Sequence, residues 1–218
     1  MDTEILTIVV SFLGVLVSGA SALIGAGIGG AATFIVGRAA VRAQQLRDKA
    51  AAEDEVRAVL QAISEELRAL HEMHTSPTGG ARVIEAAQPG EPIEFHYPIF
   101  DRYFTVYESC ASQIGKIPDS ELRRQIVAVY AYLRAMIDTV RLNNDFMRQT
   151  EIAMLNYERL KDDPALGPKF AREYEIHRAQ MTEYAPVLKA AHSRAMDAYQ
   201  DLRFRLECFA GCRGIAPT

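Results

Sequence analysis

Uncharged residues dominate the start of the chain, where positions 5–37 form a run of 33 residues without a charged side chain. A helix of about 20 apolar residues is long enough to cross a bilayer. The pattern therefore predicts one transmembrane helix within residues 1–37. A secretory signal peptide fits less well, because its apolar core is only about 7–15 residues long and follows a basic start. Here Asp2 and Glu4 make the start acidic.

Small residues recur at every fourth position of this run, in two rows that lie side by side on a helix. Such rows let helices in lipid approach each other closely, and two rows give one helix a neighbour on each side. We therefore predict a homo-oligomer, arranged as a ring. Its candidate contact residues are Gly14, Ser18, Ala22, Gly25, Ala26, Gly29 and Gly30. In the alternative interpretation the segment is a lone anchor, whose glycines are tolerated because lipid penalises helix breakers weakly.

Basic residues follow the uncharged run, and none precedes it. Arg38, Arg42, Arg47 and Lys49 come directly after it. Because positively charged flanks remain in the cytoplasm, the pattern predicts a single-pass protein with its N-terminus outside and residues 38–218 in the cytoplasm. The four basic side chains are expected to contact lipid headgroups.

The cytoplasmic part has the apolar spacing of helices throughout, and no strand-like alternation of useful length. Residues 75–93 are rich in proline and glycine and are predicted to form a loop. The sequence thus predicts an all-α fold, with one N-terminal transmembrane helix followed by a four-helix cytoplasmic bundle. The four predicted helices cover residues 38–74, 98–115, 118–160 and 169–212.

The helix predicted over 118–160 has the clearest pattern, with Asp119 or Ser120 as its N-cap. Its apolar positions keep helical register: Leu122, Ile126, Val129, Tyr130, Leu133, Met136, Ile137 and Val140. In the helix over 38–74, the same spacing places Glu65 and Glu66 on the polar face.

Composition and charge argue mainly against particular partners and sites. All 24 basic and 26 of the 28 acidic residues lie after residue 37, so this part carries a formal net charge of −2. That balance does not support direct binding of nucleic acid. The odd count of three cysteines does not suggest a disulfide framework. His71 and His74 share a helix face, but no third ligand is evident, so neither a metal site nor a cofactor is expected.

One pair of residues suggests chemistry. Arg172 and His177 lie five positions apart on a predicted helix, and Arg68 with His74 forms a second, similar pair. The spacing resembles the Arg–His motif of HEPN domains, which are helical bundles that often cut RNA. This resemblance implies that the imidazole can act as general base while the guanidinium stabilises a phosphate. The alternative is structural, a surface arginine beside a partly buried histidine.

The layout as a whole resembles small bacterial single-pass membrane proteins with a HEPN-like helical cytoplasmic domain. The segments 97–101 and 114–118, Tyr-Pro-Ile-Phe-Asp and Ile-Gly-Lys-Ile-Pro, are similar to segments of such proteins. Among them are the membrane accessory proteins of RNA-targeting type VI CRISPR systems.

This resemblance implies a location in the bacterial inner membrane and a pore that depolarises the cell as an antiviral effector rather than an enzyme. It also implies copies of the chain, membrane lipid, and a CRISPR effector or other cytoplasmic protein as partners. Two alternatives remain, a membrane-anchored HEPN-type ribonuclease that uses Arg172 and His177, and a scaffold that recruits a partner to the membrane.

Overall fold

The structure is a computed structural model of the chain. It describes the backbone of residues 3–100 and 102–211, and the side chains of residues 36–100 and 102–209. Within these ranges the fold is all-α, as predicted, and contains no strand. The helices in chain order are α1 (Thr3–Thr75), α2 (Ala81–Ala86), α3 (Thr105–Ser109), α4 (Ala111–Ile114), α5 (Ser120–Leu160) and α6 (Gly167–Gly211).

The chain divides into two compact units, Met1–Glu55 and Val56–Thr218. In the first unit, every described side chain, over 36–55, is exposed. The predicted transmembrane segment 5–37 lies outside the described side chains apart from its last two residues, and all seven candidate oligomerisation residues lie outside them too. Among the residues whose side chains are described, no helix is long and apolar enough to cross a membrane.

Three helices enclose the core of the second unit: the part of α1 that follows residue 55, α5 and α6. All eight apolar positions predicted for α5 are buried, which confirms their register. All but Val140 belong to one core cluster. The same cluster includes buried side chains of α1 and α6: Val59, Leu60, Ile63, Leu67, Ala195, Tyr199, Leu202 and Leu206. Burying a leucine or isoleucine side chain contributes roughly 2 kcal/mol to the stability of the fold.

Two aspartates accept backbone hydrogen bonds, one at the start of α5 and one in the turn that leads into α6. The Asp119 side chain accepts hydrogen bonds from the backbone N–H groups of Glu121 and Leu122, which confirms Asp119 as the N-cap. Its other oxygen lies 2.9 Å from the guanidinium of Arg205 on α6. Beyond the C-terminal end, Asp163 accepts from the N–H groups of Ala165 and Leu166 just before α6 begins. These bonds satisfy helix-end donors that have no partner within their own helix.

The segment predicted as a helix over 98–115 is different in the structure. It consists of α3 and α4, preceded by residues 93–100, which have no regular secondary structure; we call residues 93–100 the strap. Two asparagines of α5 bind the strap backbone: Asn143 donates to the carbonyl of Ile93, and Asn144 bonds both the N–H and the carbonyl of Tyr97. These side-chain bonds attach the backbone of the strap to α5.

The predicted loop 75–93 contains the short helix α2. Two glycines before it allow a close backbone approach. A Cβ atom at Gly79 would lie 2.0 Å from the carbonyl oxygen of His74, and one at Gly80 would lie 2.5 Å from the Tyr97 ring. At the other end, the Lys189 ammonium of α6 donates to the carbonyl of Ala87. The turn and α2 are therefore packed tightly against α6 and the strap.

Candidate functional site

The structure places the predicted pair Arg172 and His177 on α6. Arg172 is exposed and His177 is half-buried. The Nδ1 atom of His177 lies 3.1 Å from the side-chain oxygen of Gln180, one turn further along. The carboxylates of Glu173 and Glu175 are exposed within the same two turns. Negative charge next to a phosphate opposes its binding, so the surroundings do not strengthen the case for chemistry here.

The second pair does not form a site. The Arg68 guanidinium is exposed and binds Glu65 at 2.6 Å and Glu72 at 2.8 Å. These contacts raise the pKa of Arg68, with the hydrogen bond to Glu65 the largest cause. His74, by contrast, is only 3% exposed and contacts Tyr97 and His192. The two side chains therefore have different surroundings.

The structure instead brings together three histidines from α1 and α6. His74, in the last turn of α1, lies with its ring centroid 5.0 Å from that of His192 on α6. The phenol of Tyr97, from the strap, lies 3.2 Å from Nδ1 of His74. One turn earlier on α1, His71 stacks on Tyr199 with ring centroids 4.5 Å apart. We call His71, His74 and His192 the histidine cluster.

Two imidazoles of this cluster are buried and incompletely hydrogen-bonded. His192 is 5% exposed, and the Nε2 atoms of both His74 and His192 lack a hydrogen-bond partner. The carboxylate of Glu85 on α2 lies near His192, with 3.9 Å between the imidazole nitrogen and the carboxylate oxygen. Burying a polar group without a hydrogen-bond partner costs free energy. The burial of these two imidazoles therefore lowers the stability of the bundle.

Burial opposes the charging of the two buried imidazoles and of Tyr97. It is the largest cause of the lowered pKa of His74, which falls to about 4, and His192 and His71 lower that pKa further. Burial also lowers the pKa of His192, while Glu85 and Asp197 act in the opposite direction. For Tyr97, burial raises the pKa to about 12. Burial thus disfavours the charged forms of His74, His192 and Tyr97.

A small cavity lies beside the cluster. Its volume is about 30 Å³, and its wall is mainly apolar. A buried water needs roughly 10–15 Å³, so the cavity has room for water but not for a substrate. It is lined by residues of α1, the strap and the turn after it, α5 and α6, among them His71, His74, Tyr97, Leu133, Met136 and Tyr199.

A wider cleft of about 230 Å³ opens between α1 and α6 on the outer side of His71. Its arginines are matched by carboxylates. Arg68 binds Glu65 and Glu72, and the Arg203 guanidinium lies 3.5 Å from Glu207. Because each cation already has an anionic partner, the cleft presents no excess positive charge to a phosphate.

Glu66 has a role that the helical pattern did not predict. Its carboxylate accepts hydrogen bonds from the backbone N–H groups of Val106 and Tyr107 at the start of α3, and from the hydroxyl of Tyr130 on α5. Burial and this hydrogen bond raise the pKa of Tyr130. Glu66 thus links α1, α3 and α5, and its role is structural.

Within the ranges that the structure describes, no three His, Cys, Asp or Glu side chains are arranged to hold a metal ion. We therefore interpret the histidine cluster and Glu66, which have buried or strongly hydrogen-bonded polar groups, as parts of the packed bundle. No family model, curated protein or solved structure matches this chain.

Proposed function

We propose that residues 5–37 anchor this protein in the bacterial inner membrane, with the N-terminus outside and residues 38–218 in the cytoplasm. The absence of charge over 33 positions supports the anchor, and the basic residues that follow it support the orientation. Residues 38–55, which are exposed throughout, lie where the headgroups and the aqueous boundary would be.

In this proposal the anchors of several copies assemble into a ring-shaped pore. The observation that carries it is the pair of adjacent small-residue rows over 14–37, which fits a helix with a neighbour on each side. The segment offers no charged ring, so its gate would be hydrophobic. The cytoplasmic domain, as a HEPN-like helical bundle, would form a collar. Depolarisation of the cell would serve antiviral defence alongside a CRISPR effector or another cytoplasmic protein.

The proposed activity is non-enzymatic. Two features of the cytoplasmic unit support this. The arginines of the cleft beside His71 are paired with carboxylates, and the cavity beside His74 is small, at about 30 Å³.

The proposal is tested by reconstituting the full chain into potassium-loaded vesicles and measuring potassium release. The proposal predicts release that rises with the amount of incorporated protein more steeply than in direct proportion, because several copies build one pore. Vesicles that contain correctly incorporated protein and retain their potassium at every protein-to-lipid ratio would contradict it.

We expect the double variant Arg172→Ala, His177→Ala to release potassium at the wild-type rate, since neither side chain lies in the proposed pore. RNA cleavage by the same preparations is measured in parallel. Cleavage by the wild type that disappears in the double variant, with assembly intact, would instead favour the anchored ribonuclease.

A further inference from the structure

The pair His74 and His192 joins four parts of the second unit. His74 belongs to the last turn of α1, and His192 belongs to α6. The strap contributes Tyr97 to His74, and α2 contributes Glu85 to His192. Any change in the charge of this pair therefore acts on the contact of the strap and α2 with the two long helices.

The charged neighbours of the two imidazoles are unequal. His192 has Glu85 at 3.9 Å and the influence of Asp197 on its own helix. The groups that bear electrostatically on His74 are two other histidines, His192 and His71, and both oppose its protonation. The side chains that α5 contributes to the adjacent cavity are apolar: Leu133, Met136 and Ile137. A proton on His74 thus adds a buried positive charge without a carboxylate beside it.

The surrounding packing leaves little room for the His74 ring to turn towards solvent. At Gly79 and Gly80 the backbone of the turn lies in close contact with the end of α1 and with Tyr97. Tyr97 is itself held through its backbone by Asn144. If His74 becomes charged, movement of the strap and α2 away from α1 and α6 is therefore the most direct way for water to reach the charge.

We propose that His74 and His192 form an acid-sensitive latch, which holds the strap and α2 on the bundle while both imidazoles are neutral and releases them when protons bind. An exposed imidazole titrates near pH 6.5, so the open form binds protons more readily than the closed form below that pH. Acid consequently favours the open form. This inference is independent of the proposed pore.

One contact on the strap opposes the latch. The His96 imidazole lies 3.1 Å from the carboxylate of Glu151 on α5, and both side chains are about half exposed. Because both side chains reach solvent, water screens their interaction. The buried pair has the larger effect, because its charge is desolvated.

The experiment is hydrogen exchange of the full chain in detergent at pH 7.5 and pH 5.0, with rates corrected for the intrinsic effect of pH. We expect protection of residues 79–100 to fall on the order of 10- to 30-fold at pH 5.0. Protection of the α5 core over 122–140 should change much less. Equal loss in both regions, or unchanged protection of residues 79–100, would overturn the proposal.

Variants separate the latch from general acid sensitivity. His74→Gln should reduce the fold-change between the two pH values, whereas Glu85→Gln should increase it, because it removes the carboxylate that offsets a proton on His192. His177→Gln is the matched control and should behave as the wild type. Glu85 and His177 are not core residues, so their variants remain informative if His74→Gln fails to fold. A Glu85→Gln response equal to that of the wild type, or a His177→Gln response as reduced as that expected of His74→Gln, would contradict the latch.

Discussion

Glu66→Ala is expected to lower the free energy of unfolding of the second unit by about 3 kcal/mol. The substitution removes the acceptor of three hydrogen bonds, two from the start of α3 and one from the Tyr130 hydroxyl. Hydrogen bonds to charged groups contribute about 1.5–3 kcal/mol each in favourable cases, and unsatisfied donors add a cost. We expect less than the full sum because Glu66 is half-buried, and water can reach part of the site.

The neighbouring residue supplies the control. Glu65 is exposed, and its carboxylate binds the Arg68 guanidinium, which also binds Glu72. Glu65→Ala should therefore change the free energy of unfolding by less than about 0.5 kcal/mol. Denaturant unfolding followed by circular dichroism measures both variants. Equal effects of the two substitutions would show that Glu66 does not link α1, α3 and α5 as described.

The second large effect concerns assembly. We expect the double variant Gly25→Leu, Gly29→Leu to lose the wild-type oligomer, because two leucine side chains separate backbones that small residues allow to meet. Potassium release from vesicles should be lost in parallel. Both quantities are measured on the same detergent-purified protein, by light scattering and then after reconstitution.

A matched pair on the opposite side of the helix controls for bulk and hydrophobicity. Ala20 and Ala31 lie outside both small-residue rows, and at 3.6 residues per turn they face away from Gly25 and Gly29. Ala20→Leu with Ala31→Leu should leave the oligomer intact. If both double variants assemble normally, the glycines are incidental and the segment is a simple anchor.

The long helices of the second unit are predictable because each one shows its register in its own sequence. The apolar spacing of α5 and the capping side chain of Asp119 are local signals, and the structure confirms both. The strap is not predictable in this way. Its backbone partners, Asn143 and Asn144, lie about fifty positions further along the chain, and local spacing carries no information about such contacts.

The histidine cluster could be predicted from the sequence only in part. His192 continues the buried spacing of α6 that passes through Leu188, Ala195, Tyr199 and Leu202, so its burial is visible in the pattern once the register is known. Its pairing with His74 depends on the arrangement of α1 beside α6, which the sequence does not give. The role of Glu66 could not be predicted for the same reason, because its partners belong to α3 and α5.

The most direct test of the central claim is the mass of the detergent-solubilised protein, measured by light scattering with the detergent contribution subtracted. A helix with a neighbour on each side predicts a discrete closed assembly of more than two copies. A monomer or a dimer would contradict the pore and leave a membrane anchor that recruits a partner as the better account.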